Sequence, residues 1–477
     1  METPTNNKAN PPHPPKASII KRHSTTFKVV VVGILTLFLL IPLGMIKGLI
    51  YERLETKRSA VSEITSKWSG EQIVTGPCIV IPYIQELVQK EKRELVRKDL
   101  LLLPEKMNVI ADARVETRKR GIYDVTVYSS DLLLSGSFNM RELAKTGIDP
   151  ENMLLNEVRV IMGVSDLKGI REGVLLQIGK ESLNFEPGIP IENLNINSHY
   201  SKEIYIPERE KQVSAPNISD GIFSTGLNVK LDSIIINEIS NDSIPFSISL
   251  SLNGSQGLFI APIGKTTTAN VKSDWSTPSF GGDFLPENHE VTEDGFNAQW
   301  KVIDLNRSYG QTVNADNATE ISKMASSVFG VKFIQTVDQY QQNIRSVKYA
   351  ILIILLTFVI VFFIEVLKNK SVNPFQYSLV GLALVLFYSL LLSLSEVWGF
   401  NIAYIVAATM TTGLIILHMS SILKNKQEGL LIGLLLAFLY IFVFILIQME
   451  SYALLVGSLV LFCILAIIMY YSKKLKI

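Results

Sequence analysis

From residue 349 onward the chain is built of long, almost uncharged runs, and this fixes more of its fold than any other feature. The runs cover residues 349–367, 375–395, 400–423, 429–449 and 452–471. Each is close to the roughly 20 residues that cross a bilayer core as a helix rising 1.5 Å per residue. After Lys348 the charged side chains are Glu365, Lys368, Lys370, Glu396, Lys424, Lys426, Glu428, Glu450, Lys473, Lys474 and Lys476, and they gather at the ends of the runs. Lipid offers no hydrogen bonds to a backbone, so such runs must be helical.

A further apolar run stands near the other end. Residues 1–26 are rich in Pro, Asn and Lys and read as a disordered tail that cannot bury a core. Residues 27–50 then read as a first transmembrane helix, with Pro42 tolerated as a kink. A cleaved signal peptide is the rival reading. The polar lead-in and the apolar core are both too long for it, and no small-x-small site follows before Lys47. In residues 51–68, Leu54, Val61, Ile64 and Trp68 recur at spacings that share one helix face. That pattern suits a helical stalk leaving the bilayer and, equally, a surface helix packed on its own domain.

Residues 72–326 change character. Short runs such as MNVIADARVET, YDVTVYSSDLLLSGSF and PFSISLSLNG are broken by Gly, Pro, Asn and Asp. Tyr123, Val125 and Val127 fall on one face of an extended strand, with Asp124 and Thr126 on the other. The expectation is a β-rich sandwich or roll with a short helix near 140–145. Composition fits two unlike halves: 48% of residues are apolar and 19% charged, and the net charge of +1 gives no reason to expect a nucleic acid partner. The two cysteines, Cys78 and Cys463, lie in different halves, so no intrachain disulfide is expected.

Lysine sets the orientation. The connections at Lys368 and Lys424 and the tail from Lys473 carry cations, whereas SEVWGFN and QMES between them carry none. Cationic loops stay in the cytoplasm. The chain therefore reads as a polytopic α-helical membrane protein with six transmembrane helices. A large β-rich extracytoplasmic domain, residues 51–345, is inserted between helices 1 and 2, ahead of a five-helix domain at 346–477. Both termini are then cytoplasmic.

Several stretches carry a family resemblance. They include Trp68, Gln72, Gly76-Pro77 and Pro82-Tyr83 near the start of the β region, and RGIYDVTVY. They also include PIGKTTTANVKSDWSTPSFGGDFLP with Trp275, Pro278, Phe280, Gly282 and Pro286, followed by Trp300 and Arg307. In the membrane part they are Lys348-Tyr349, Glu365, Pro374, Gln376-Tyr377 and LVGLALVLFYSLLLSLSE. From about residue 49 onward the chain resembles the bacterial inner membrane protein CreD family, also called cell envelope integrity protein. The resemblance implies a cytoplasmic-membrane protein linked to envelope integrity and stress responses, with no agreed catalytic activity and no cofactor. Where the family pattern has histidine before the Pro of PxQY and after the Glu of SLSE, this chain has Asn373 and Val397. A proton relay at those positions does not carry over.

Candidate sites are few. Gly264-Lys265-Thr266 lacks the glycine five residues earlier that a phosphate loop needs, since Phe259 stands there. Asp283, Glu287, His289, Glu290, Glu293 and Asp294 are ligand types without ligand spacing, and read as a solvated acidic loop. No GxSxG elbow and no paired nucleophile and base are present, so no enzyme is expected. Intramembrane polar groups are the remaining candidates, because burying them in lipid is costly. Glu365 and His418 both fall near inner helix ends and could touch, or Glu365 could snorkel to the interface beside Lys368. Ser389, Ser393 and Glu396 share a face suited to hydrogen bonding a neighbouring helix, and Ala403, Ala407 and Thr411 form a stripe for close packing. The expected partners are the lipid bilayer and an unidentified periplasmic protein or envelope component. A transporter or lipid-handling permease is the alternative function.

Overall fold

A computed structural model describes residues 17–89, 92–191, 222–231, 243–333, 339–368, 370, 372–449 and 452–472. The chain divides into two compact units, Arg58–Thr336 and a second made of Met1–Lys57 with Val337–Ile477.

The first unit is β-rich. Its strands are β1 (Gln72–Gln89), β2 (Lys92–Leu102), β3 (Lys106–Arg120), β4 (Tyr123–Asn139), β5 (Arg159–Val164), β6 (Leu175–Ile178), β7 (Glu181–Asn184), β8 (Glu186–Pro187) and β9 (Gly226–Lys230). They continue with β10 (Ser243–Ser255), β11 (Gly257–Ile260), β12 (Thr266–Ser273), β13 (Pro278–Gly282), β14 (Asn288–Thr292), β15 (Gly295–Ile303), β16 (Thr312–Asn314) and β17 (Phe329–Phe333). One sheet runs β13-β17-β11-β1-β5-β9-β8, with β2 and β16 joined beside β1, and the other runs β14-β15-β12-β3-β4-β10-β6-β7. β1 lies centrally, pairing with β2, β5 and β11, and residues 72–83 are buried on both faces. That burial explains why β1 reads as a continuous apolar run rather than an alternating one. β3 alternates exposed and buried from Lys106 to Arg114, putting Met107, Val109, Ala111 and Ala113 inward. The sheets share one core: Tyr128 of β4 lies 4.9 Å from Phe333 of β17, and Trp300 of β15 stacks at 5.4 Å on Phe329. Two short helices, α2 (Arg141–Ala144) and α3 (Ala318–Ser326), complete the unit with the end of α1 (Ala17–Trp68). On β4, Val125 to Tyr128 are all buried, so Thr126, expected outward, is 7% exposed.

The second unit is helical: most of α1, then α4 (Gln339–Lys348), α5 (Ala350–Leu367), α6 (Pro374–Trp398), α7 (Phe400–Leu423), α8 (Lys426–Gln448) and α9 (Ala453–Ser472). The stretch expected to be a disordered tail is helical from Ala17 onward, where no proline or glycine interrupts until Gly33; residues 1–16 lie outside the described residues. By length and apolarity, four described helices can cross a membrane: α6, α7, α8 and the Val30–Trp68 part of α1. A fifth is added if α4 and α5, bent by 42° at their junction, make one span, and α9 contributes a shorter described apolar stretch, Ala453–Ile467. Large apolar side chains such as Ile402, Leu414, Leu434 and Ile441 stand more than half exposed around the bundle, which calls for an apolar solvent outside it. Inside, the stripe of Ala403, Ala407 and Thr411 is buried, letting α7 pack closely on its neighbours α6 and α8. Gly381 serves the same end on α6: a Cβ there would overlap Leu39 of α1 and meet the Phe358 ring of α5.

Candidate functional site

Among the described residues of the helical unit, two groups of hydrogen-bonded polar side chains join neighbouring helices and turns. The first is built by α4, whose ten residues bury Tyr340, Gln342, Asn343 and Ser346. The Tyr340 hydroxyl donates to Glu396 Oε1 at 3.0 Å, and Arg53 Nε stands 3.8 Å from the same oxygen. Asn343 Nδ2 donates to Ser395 Oγ at 2.9 Å, and Ser395 is fully buried. Glu396 thus does bond a neighbouring helix. The side chain facing inward beside it is Ser395, whereas Ser393 is exposed and Ser389 is half-buried.

The second group closes the turn between α5 and α6. Glu365 is 3% exposed, accepts from the Val372 amide at 3.1 Å through Oε1, and accepts from the Tyr377 hydroxyl at 2.8 Å through Oε2. The expected Glu365–His418 contact does not form: among the described residues His418 Nε2 is buried without a hydrogen-bond partner. Nor does Glu365 snorkel, since its carboxylate ties the first turn of α6 to the last turn of α5. Asn373 caps α6 by accepting from the Phe375 amide at 3.1 Å while Gln376 reaches back to the Asn373 amide at 2.9 Å.

In the β unit the motif residues hold corners together. Trp68 ends α1, its Nε1 donating to the Tyr128 carbonyl at 3.5 Å and its ring lying 3.7 Å under the Arg118 guanidinium. Arg120 reaches both oxygens of Glu63 at 2.8 and 2.9 Å, fastening the last helical turns to the β3–β4 hairpin. Lys67 Nζ also donates to Glu63 at 2.8 Å, and the bonds from Lys67 and Arg120 hold the Glu63 carboxyl below its ordinary range. Gln72 is fully buried and donates to Ser69 Oγ, the Asp166 carbonyl and the Asn253 carbonyl at 2.7, 2.9 and 3.1 Å. Its Oε1 accepts from the Asp166 amide at 3.2 Å. Gly76, with φ of 120°, and Pro77 form the bulge where β1 shifts register against β5. A Cβ at Gly76 would press on the Met162 and Ile161 backbone. Pro82 accepts from the Leu154 amide at 2.8 Å. Tyr83 accepts from Asn314 Nδ2 at 3.1 Å, and burial, with Asp316 and Asp99 nearby, pushes its phenol up.

The 264–286 stretch folds as a corner between the two sheets. Trp275 Nε1 donates to the Thr277 carbonyl at 3.1 Å, and Pro278 opens β13 opposite Phe333. Phe280 meets Phe296 at 5.7 Å and Trp300 at 5.8 Å edge-on. Trp300 Nε1 donates to the Phe284 carbonyl at 3.2 Å, and Pro286 follows one residue after the exposed Leu285. Gly282 needs its φ of 99°, and a Cβ there would overlap the Val328 carbonyl. Lys265 pairs with Glu105 at 3.1 Å, and Gly264 donates to Thr267 Oγ1 at 3.0 Å. The acidic side chains from Asp283 to Asp294 are exposed, and among the described residues no three His, Cys, Asp or Glu side chains converge as for a metal. Cys78 is buried and its thiol is pushed up by that burial, which leaves it a poor nucleophile.

The chain matches the family described as Inner membrane protein CreD over residues 24–477. It belongs to the CreD family. Inner membrane protein CreD of Escherichia coli (strain K12) is 32% identical over 444 residues, covering 92% of this chain and 90% of that protein. The CreD match thus takes in the β unit and the helical unit together, and the family is one of inner membrane proteins.

Sequence reasoning missed Tyr377 as the partner of Glu365, and Tyr340 and Asn343 as the partners of Glu396 and Ser395. A signal was present for the last two: Tyr340 and Asn343 are three apart on a helix that leads into an apolar run.

Proposed function

We propose that this CreD-family chain is a six-span anchor that presents its β unit outside the cytoplasm, where it contributes to cell envelope integrity by binding an envelope component or partner protein. The spans are 27–50, 349–367, 375–395, 400–423, 429–449 and 452–471, with residues 51–345 inserted between the first two and both termini cytoplasmic. The lysines of the 368–370 and 424–426 connections and of the tail carry this reading, since they alternate with connections that hold no lysine or arginine. No enzymatic step and no cofactor form part of it. The exposed Leu285, beside the packed corner of Phe280 and Trp300, is the place we assign to partner contact. A photocrosslinking amino acid at Leu285 tests it in living cells: a discrete adduct with an envelope molecule supports the reading, and its absence, with adducts only to the chain itself, removes the corner as the contact.

One observation favours the alternative, a transporter or permease. The polar helix α4 is buried within the helical unit and meets apolar α5 at a 42° bend, and broken helices of this kind expose backbone groups in transporter cores. Substrate-dependent flux in reconstituted vesicles would favour that reading over an anchor.

A further inference from the structure

The open face of the sheet that contains β3 and β4 carries a hollow of about 240 Å³. Asp112, Arg114 and Glu116 of β3, Ser129 and Asp131 of β4, and Arg171 line it. Strand pairing sets Asp112 directly opposite Asp131 and Arg114 directly opposite Ser129. Directly opposed side chains have Cβ atoms about 4.5–5.5 Å apart, and like charges in that position destabilise a sheet; Lys272 of β12, opposite Asp112 on its other side, offsets part of the repulsion but makes no ion pair with it among the described residues.

The other charges of the hollow are only partly engaged. Asp131 Oδ1 accepts from Ser251 Oγ at 2.8 Å and lies 3.9 Å from Arg171 Nη1. Glu116 is held by Arg118 at 2.7 and 2.9 Å. Among the described residues Asp112 and Arg114 make no hydrogen bond or ion pair through their side chains, and both stand exposed to the hollow. A free carboxylate beside a second carboxylate, and a free guanidinium two residues along the same strand, are complementary to a molecule with a charge of each sign at its two ends.

We propose that this hollow binds a short peptide by its two charged termini. The ammonium group lies between the carboxylates of Asp112 and Asp131, and the terminal carboxylate lies on the guanidinium of Arg114, where a planar fork matches it. Size agrees with charge. Two residues along β3 separate Asp112 from Arg114 by about 6.5–7 Å, and an extended dipeptide spans roughly the same length. The volume is below the roughly 300–1,000 Å³ of pockets for larger ligands. A simple cation would leave Arg114 unanswered, and a simple anion would leave the carboxylate pair unanswered. The geometry belongs to the β unit alone and is independent of any contact at Leu285.

Calorimetric titration of the full-length protein in detergent micelles tests this with alanyl-alanine, its N-acetylated form and its C-terminal amide. Saturable binding of alanyl-alanine, at least about tenfold weaker for either blocked form, is expected from loss of one charge-assisted contact. Asp112→Asn and Arg114→Gln should each weaken alanyl-alanine about tenfold, while Lys301→Gln, on the same sheet face outside the hollow, leaves it unchanged. No saturable binding of alanyl-alanine, or equal binding of the blocked forms, overturns the proposal. The blocked peptides are read on the unaltered chain, so the outcome does not depend on how any variant folds.

Discussion

Replacing Gln72 by leucine keeps the bulk of a fully buried side chain and removes its amide. Ser69 Oγ and the carbonyls of Asp166 and Asn253 then lose a donor, and the Asp166 amide loses its acceptor. An unsatisfied buried polar group costs about 1–3 kcal/mol. Several of these groups are only partly buried, and leucine recovers some apolar burial, so a net loss of about 2–4 kcal/mol follows. Because Gln72 opens β1 and Asn253 lies on β10, the loss falls where the two sheets meet. For a domain of this size that is a fall of about 5–15 °C in the unfolding midpoint. Three of the four tryptophans, Trp68, Trp275 and Trp300, sit in the β unit and Trp398 ends α6, so thermal unfolding followed by tryptophan fluorescence in detergent, in a Trp398→Phe background, reads that unit. A fall of less than about 2 °C would show that the amide network does not fasten the sheets, refuting the reasoning.

Further outcomes follow from the same contacts. Burial raises the Glu71 carboxyl above its ordinary range, opposed by Lys332 at 4.0 Å, so its protonated form favours the folded state; that contribution is present at low pH and is lost as pH rises through the folded pKa. Glu71→Gln should therefore raise the midpoint near pH 7, with the gain shrinking as pH falls toward the ordinary carboxylate range; a gain that does not change with pH contradicts the assignment. Glu365→Ala leaves the Val372 amide and Tyr377 hydroxyl without an acceptor at a cost of about 2–4 kcal/mol, enough to lower membrane abundance several-fold by immunoblot, whereas Glu365→Gln retains most of it. Gly282→Ala forces a Cβ onto the Val328 carbonyl at a positive φ and should cost about 3 kcal/mol or more by the fluorescence midpoint, with Gly310→Ala, which meets no close neighbour, near neutral.

Local patterns in the sequence foretold local structure. The alternation of Tyr123, Val125 and Val127 is an inward strand face, and the small-residue stripe on α7 is buried. Long-range pairing was not legible: β1 lies parallel to β11 across nearly two hundred residues, and nothing in either segment names the other. Helix rotation was illegible for a physical reason. α6 is apolar nearly all round, so its sequence does not say which side faces a neighbour, and a two-residue error exchanges Ser393 for Ser395. Glu365 was matched with His418 by depth alone, yet the short α5–α6 turn brings Tyr377 back onto it, and this nearer partner takes the carboxylate. The opposition of Asp112 and Asp131 was not legible either, because it depends on the β3–β4 register.

The most direct test of the account is the side of the membrane on which each unit lies. In a Cys463→Ser background, with Cys78 buried, single cysteines at Lys301→Cys in β15 and Lys424→Cys after α7 are exposed to a membrane-impermeant maleimide in intact cells. The account predicts labelling at position 301 before the inner membrane is breached and at position 424 only afterwards. Labelling in the opposite order would contradict it.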